Sequence, residues 1–124
     1  MSVVLDASAV LAYLQDESGA DLVERAILEN TALCGAANWS EVCQQVLDKG
    51  RSLEVVVEFL LDRQLVTVVP VSRDDAEWAA HRYVRGEGLS LADRLCLALA
   101  SRLDSVVLTA DRAWGEDGYI RQIR

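Results

Sequence analysis

Four acids stand at positions from which carboxylates could do chemistry together. Asp6 closes the apolar run Val3-Val4-Leu5, and Glu41 ends Asn38-Trp39-Ser40-Glu41. Asp93 ends Ser90-Leu91-Ala92-Asp93, and Asp111 follows Leu108-Thr109-Ala110. Intervals of 35, 52 and 18 residues separate them, so only the fold can bring them together. Carboxylates gathered in one place repel, and without a cation some of their pKa values must rise. Divalent Mg²⁺ or Mn²⁺ prefers such oxygen ligands and keeps bound waters. A water activated in this way can attack phosphorus in line while the cation offsets phosphate charge. Each acid also has a structural reading. Asp6 caps the helix that follows, Asp93 completes a capping box with Ser90, Glu41 favours a helix dipole, and Asp111 belongs to a turn.

The rest of the composition narrows the alternatives. His81 is the only histidine, whereas attack by an RNA 2′-hydroxyl usually wants a base and an acid near neutral pKa, often two histidines. A serine hydrolase would have to build on His81, which reads as mid-helix, and no G-x-S-x-G is present. Cys34, Cys43 and Cys96 are odd in number, form no C-x-x-C and sit in apolar stretches. They read as free core thiols of a reducing, cytoplasmic setting, and the lone histidine argues against zinc. Twelve basic against twenty acidic residues give a formal charge of −8. That balance disfavours a protein gripping nucleic acid through an overall positive field, but not an enzyme that meets phosphate through a metal ion. The N-terminus has no basic, long apolar leader, and no run approaches a membrane span.

The elements that must position the acids follow from periodicity. Residues 1–124 read as one domain, with no linker, repeat or low-complexity tract. Strands are predicted at Val3–Leu5, Thr31–Gly35, Val66–Val71, Val106–Thr109 and about Tyr119–Ile123. Helices are predicted at Ala7–Gln15, Ala20–Glu29, Ser40–Asp48, Leu53–Arg63, from Ser72-Arg73-Asp74-Asp75 to about Val84, and Ser90–Leu103. Alternating strands and helices imply an α/β fold with a mainly parallel sheet covered on both faces. In such folds ligands bind beyond the carboxyl ends of the strands, where Asp6 and Asp111 lie. Arg94 and Arg112 flank two of the acids and are candidates for contacting a phosphate backbone, for facing solvent or for pairing with an acid.

Leu5-Asp6-Ala7-Ser8-Ala9, Trp39-Ser40-Glu41-Val42, Leu89-Ser90-Leu91-Ala92-Asp93 and Leu108-Thr109-Ala110-Asp111-Arg112-Ala113-Trp114 resemble, in order and interval, the PIN-domain ribonucleases. More closely they resemble the toxin subunits of VapBC-type toxin–antitoxin pairs. The resemblance spans essentially the whole chain. It implies a three-layer α/β/α fold, Mg²⁺ or Mn²⁺ dependence and endonucleolytic cleavage of single-stranded or looped RNA. By the same resemblance Asp6, Glu41, Asp93 and Asp111 are the catalytic quartet, with Asp6 and Asp93 as direct metal ligands. Ser8 and Thr109 match supporting hydroxyls, and Glu116 or Asp117 matches a fifth acid of some members. The implied partner is a small, basic, DNA-binding antitoxin of the VapB type, in a hetero-oligomer built on a toxin homodimer.

Three other readings compete. A phosphate-accepting receiver domain needs an acidic pair after the first strand and a late lysine, but Asp6 stands alone and Lys49 is the only lysine. A haloacid-dehalogenase-like phosphatase needs D-x-D, and Asp6-Ala7-Ser8 lacks the second acid. A PIN fold kept as a non-catalytic binding or assembly module is separated only by assay.

Overall fold

The computed structural model describes residues 1–124. Short β-branched runs build five strands: β1 (Ser2–Leu5), β2 (Thr31–Gly35), β3 (Thr67–Val69), β4 (Val106–Thr109) and β5 (Ile120–Gln122). They form one sheet in the order β3-β2-β1-β4-β5, with every neighbouring pair parallel. β1 is central, pairing Val4 with Leu33 on one side and with Val107 on the other. The chain leaves β1 toward β2 and β3, then returns to add β4 and β5 on the opposite side. The strand order therefore reverses at β1 and β4, the place where open parallel sheets leave a crevice.

Side chains alternate between the two faces of a strand, and the core divides accordingly. Val3 and Leu5, with Ala32, Cys34 and Leu108, pack beneath α1 (Ala7–Leu14), α2 (Ala20–Glu29), α3 (Ala36–Asp48) and Leu60. Val4 and Val107 face the other way, onto Cys96, Leu97, Leu99 and Ala100 of α6 (Leu91–Arg102) and onto Trp114. Trp78 of α5 (Arg73–His81) closes the margin of that second cluster. The result is the three-layer α/β/α arrangement expected from the sequence.

Several boundaries differ from the predicted ones. α3 starts at Ala36, directly after β2, instead of at Ser40. Asn38 looks like a helix-starting polar residue, but it is 1 % exposed and tied to the first turn of α6, so tertiary burial overrides the local signal. Gly35 allows this tight passage, because a Cβ there would stand 3.1 Å from Asn38 Oδ1. The helix predicted over Leu53–Arg63 is α4 (Leu53–Val57), which widens into a π-helical turn at Glu58–Asp62. Its run Val55-Val56-Val57 is β-branched and holds regular helix poorly. β3 stops before Pro70, which has no N–H to offer the ladder. α5 ends at His81, short of Val84. The segment after β4 is a short 3₁₀ turn (Arg112–Trp114) opened by Asp111, so the turn reading of that acid holds.

Candidate active site

The end of β1 delivers Asp6 to the crevice as the N-cap of α1, so the capping reading holds. Its Oδ1 accepts from Ala9 N at 2.8 Å and from Ser8 Oγ at 2.7 Å, and its Oδ2 accepts from Thr109 Oγ1 at 2.5 Å. Both hydroxyls also accept from backbone at the end of β4. Ser8 Oγ takes Ala110 N at 2.8 Å, and Thr109 Oγ1 takes Asp111 N at 3.0 Å. These relays tie the ends of two adjacent strands to one carboxylate. Asp6 is 4 % exposed. Burial pushes its carboxyl up to about 6, with Asp93 adding to the rise, while the two hydroxyls and the Ala9 N–H pull the other way.

Asp93 lies in the first turn of α6, and there too the structural reading holds. Ser90 Oγ accepts from Asp93 N at 3.1 Å, and Asp93 Oδ2 accepts from Ser90 N at 2.9 Å. The capping box fixes the carboxylate through one oxygen and leaves Oδ1 without a hydrogen bond inside the chain. Asp93 is close enough to repel both Asp6 and Glu41. Glu41 sits in the second turn of α3, half-buried, not at the helix start. Burial raises its carboxyl and Asp93 raises it further, against the amide of Asn38. Capping and clustering are therefore not alternatives at this site.

Asp6, Glu41 and Asp93 come together electrostatically. Asp111 joins them through its backbone, whose N–H shares the Thr109 hydroxyl with Asp6. Its exposed carboxylate caps the 3₁₀ turn, accepting from Ala113 N at 2.9 Å. Glu116 and Asp117 lie on the exposed segment beyond that turn, hydrogen-bonded to none of the other acids. Arg94 is not free to meet a ligand. Its Nη1 donates to Ala79 O at 2.7 Å, and its guanidinium covers the Tyr83 ring. Arg112 is exposed and lines a polar depression with Glu116, Gln122 and Arg124.

Asn38 escaped the sequence reading. Its Nδ2 donates to Ala92 O at 3.2 Å, beside Asp93, and its buried Oδ1 has no partner. It thus holds the first turn of α6 to the helix that carries Glu41. The available signal was its position three residues before Glu41, one turn away on the same face.

A divalent cation suits this donor set. The donors are all carboxylate and hydroxyl oxygens, and beside the burial that raises Asp6 and Glu41 the charge of Asp93 adds a repulsion that a cation would relieve. No three His, Cys, Asp or Glu side chains gather tightly enough to enclose an ion. Mg²⁺ needs no such cage, since it commonly takes one or two carboxylates and keeps its waters.

Comparison with known proteins shows the family. The PIN domain family model matches residues 3–116. Ribonuclease VapC42 of Mycobacterium tuberculosis is 32% identical over 107 residues, covering 79% of this chain and 82% of that protein. Among solved structures, a toxin–antitoxin complex from Klebsiella pneumoniae is similar with a TM-score of 0.78 at 17% identity, covering 98% of both chains. Mycobacterium tuberculosis VapC20, described as a sarcin–ricin loop cleaving toxin, is similar with a TM-score of 0.70 at 16% identity, covering 94% of this chain and 95% of that one. At those identities the two structures speak for the fold alone.

Proposed function

The chain belongs to the VapC ribonuclease family of PIN-domain proteins, and from that premise we propose that it is the metal-dependent endoribonuclease toxin of a toxin–antitoxin pair. The observation that carries the reading is the clustering of Asp6, Glu41 and Asp93 where the strand order reverses. Asp6 and Asp93 would hold Mg²⁺ or Mn²⁺, using the lone pairs that their capping bonds leave unused. When bound, such an ion supplies an activated water and offsets charge on the scissile phosphate. Ser8 and Thr109 keep the Asp6 carboxylate in one orientation. Glu41 and Asp111 accept hydrogen bonds from water around the reacting phosphate. His81 takes no part, since its Nδ1 lies 2.9 Å from Glu77 O on its own exposed helix. Water that attacks phosphorus in line and expels the 3′-oxygen, which takes up a proton, leaves a 5′-phosphate and a 3′-hydroxyl, whereas a 2′-hydroxyl expels the 5′-oxygen and leaves a cyclic 2′,3′-phosphate. EDTA should abolish cleavage of single-stranded RNA, and Mg²⁺ or Mn²⁺ should restore it with those ends. Cleavage that persists in EDTA, or cyclic 2′,3′-phosphate ends, rejects the mechanism.

The partner in this reading is a small basic antitoxin. Residues 1–65, which supply α1 to α4, carry eleven acids against four bases, whereas residues 66–124 carry nine against eight. Nearly all of the excess negative charge thus lies in the helical layer over one face of the sheet. The similar Klebsiella chain was solved in a toxin–antitoxin complex. A homodimer of the toxin is read directly by light scattering.

The alternative, a PIN fold retained as a non-catalytic assembly module, predicts no cleavage with any added cation. Cation-dependent cleavage that disappears in Asp93→Asn excludes it.

A further inference from the structure

Resting on the ribonuclease reading, we propose that Tyr83 is a stacking platform for an unpaired base of the RNA, held in place by Arg94. Residues 82–89 connect the end of α5 to the first turn of α6, the turn that carries Asp93. Arg82 grips the Glu87 carboxylate with Nη1 at 2.7 Å and Nη2 at 3.0 Å, closing this connection into a loop. The guanidinium of Arg94, next in sequence to Asp93, lies 5.0 Å from the centre of the Tyr83 ring. It is anchored from behind by its bond to Ala79 O. An exposed tyrosine is thereby pinned against the residue that follows Asp93 rather than left to rotate.

The chemistry favours a base as occupant. Tyr83 remains 53% exposed and belongs to neither core cluster, in contrast to Trp78 and Leu89 on either side of it, which pack into the second. The fold has therefore fixed an aromatic ring that it does not bury. Successive bases stack on such rings whatever their identity, with arginine adding a cation–π contribution. Residues 82–94 supply Arg82, Arg85 and Arg94 against Glu87 and Asp93. A polyanion approaching from this side avoids the acidic layer built from residues 1–65. Hydrolysis then occurs at a phosphate near the stacked base, which makes Tyr83 a binding residue that sets register and not a catalytic one.

The test uses a short single-stranded RNA carrying one 2-aminopurine, moved from position to position. It is titrated in EDTA into Asp93→Asn protein, with and without Tyr83→Ala, Tyr83→Leu or Tyr83→Phe. Stacking quenches the probe, so quenching at one register should appear with Tyr83 and Tyr83→Phe and disappear with the other two. Affinity should fall roughly 5- to 150-fold with Tyr83→Ala, the range of a base–aromatic stack. In protein with Asp93 intact, Tyr83→Leu should raise KM by a similar factor and hold kcat within about twofold, with circular dichroism confirming the fold. Unchanged quenching and KM in folded Tyr83→Leu overturn the proposal. So does a Tyr83→Leu protein that loses a co-expressed basic partner but not RNA, because the surface is then a protein interface. Wild type that quenches without cutting rejects the hydrolysis reading and leaves the stack standing. Wild type that binds no RNA rejects both.

Discussion

Asp6 shows how one carboxylate can serve the fold and the chemistry together. Its three hydrogen bonds to Ala9, Ser8 and Thr109 stabilise its charge, yet burial still lifts its carboxyl from 3.8 to about 6. The folded protein therefore binds this proton more readily than the unfolded chain. The metal-free protein gains stability from protonated Asp6 at pH 4 and loses it as pH rises to 6, on the order of 3 kcal/mol at about 1.4 per pH unit. Glu41 is raised as well, so other groups contribute to the wild-type curve, but the difference between wild type and Asp6→Asn isolates Asp6. Urea unfolding in EDTA at pH 4 and pH 7 should show a smaller loss in Asp6→Asn. Equal losses in the two proteins would falsify the buried-charge account. Asp93→Asn should abolish cleavage, while its metal-free melting temperature stays level or rises, because Asn retains part of the cap and removes repulsion. Added Mg²⁺ should raise the wild-type melting temperature more than the mutant's, by mass action on the folded state. The places of Asp6, Asp93 and Asp111 at strand ends and helix starts were legible in the sequence, whereas the helix start read at Ser40 beside Glu41 is not where α3 begins. Asn38 was not legible, since its role rests on burial against α6, which no local pattern encodes.

Two helices open with the same device and put it to different uses. Ser72 and Asp75 at α5 repeat the reciprocal bonds of Ser90 and Asp93 at α6. In α5 the acid is buried and turned to structure. Arg102 holds both oxygens of Asp75, at 2.9 and 3.1 Å, and that bond with the Ser72 groups outweighs burial and keeps its carboxyl low. In α6 the acid keeps one oxygen for the site. Ser72→Ala and Ser90→Ala should each cost about 1 kcal/mol of stability, as lost caps usually do. Only Ser90→Ala should weaken the Mg²⁺-induced rise in melting temperature and slow cleavage, because only there does the cap orient a carboxylate proposed to hold the ion. Matched effects in the two variants would reduce the Ser90 box to a helix start. Both boxes were readable from S-x-x-D spacing, whereas the widened turn at Glu58–Asp62 and the start of α3 at Ala36 were not. Propensity weighs little there against the packing of Leu60 and Asn38.

At the scale of the molecule, composition gave the charge and pattern gave the layers, but only the fold shows where the charge lies. A net −8 spread evenly would repel RNA from every side. Concentrated over α1 to α4, it leaves the α5 and α6 face near neutrality. Association with a basic partner on the acidic layer should be fast and should slow steeply as salt rises, while RNA cleavage should depend less on salt. Stopped-flow association and initial cleavage rates across the same salt series compare the two directly. Equal salt slopes would remove the partition. Leu5→Ala, in the central strand and fully buried, should cost about 2–5 kcal/mol whatever the ligand.

The bond from Thr109 to Asp6 joins residues 103 positions apart. A ribosome therefore releases Asp6 long before the hydroxyl that holds it and the strand that flanks it. Until β4 docks, β1 has an open edge and Asp6 lacks its relay, so a chain still being translated has no oriented Asp6 carboxylate. Ordering of this end of the sheet thus waits for β4, and a chain cut short before Thr109 should fold without the hydroxyl that orients Asp6.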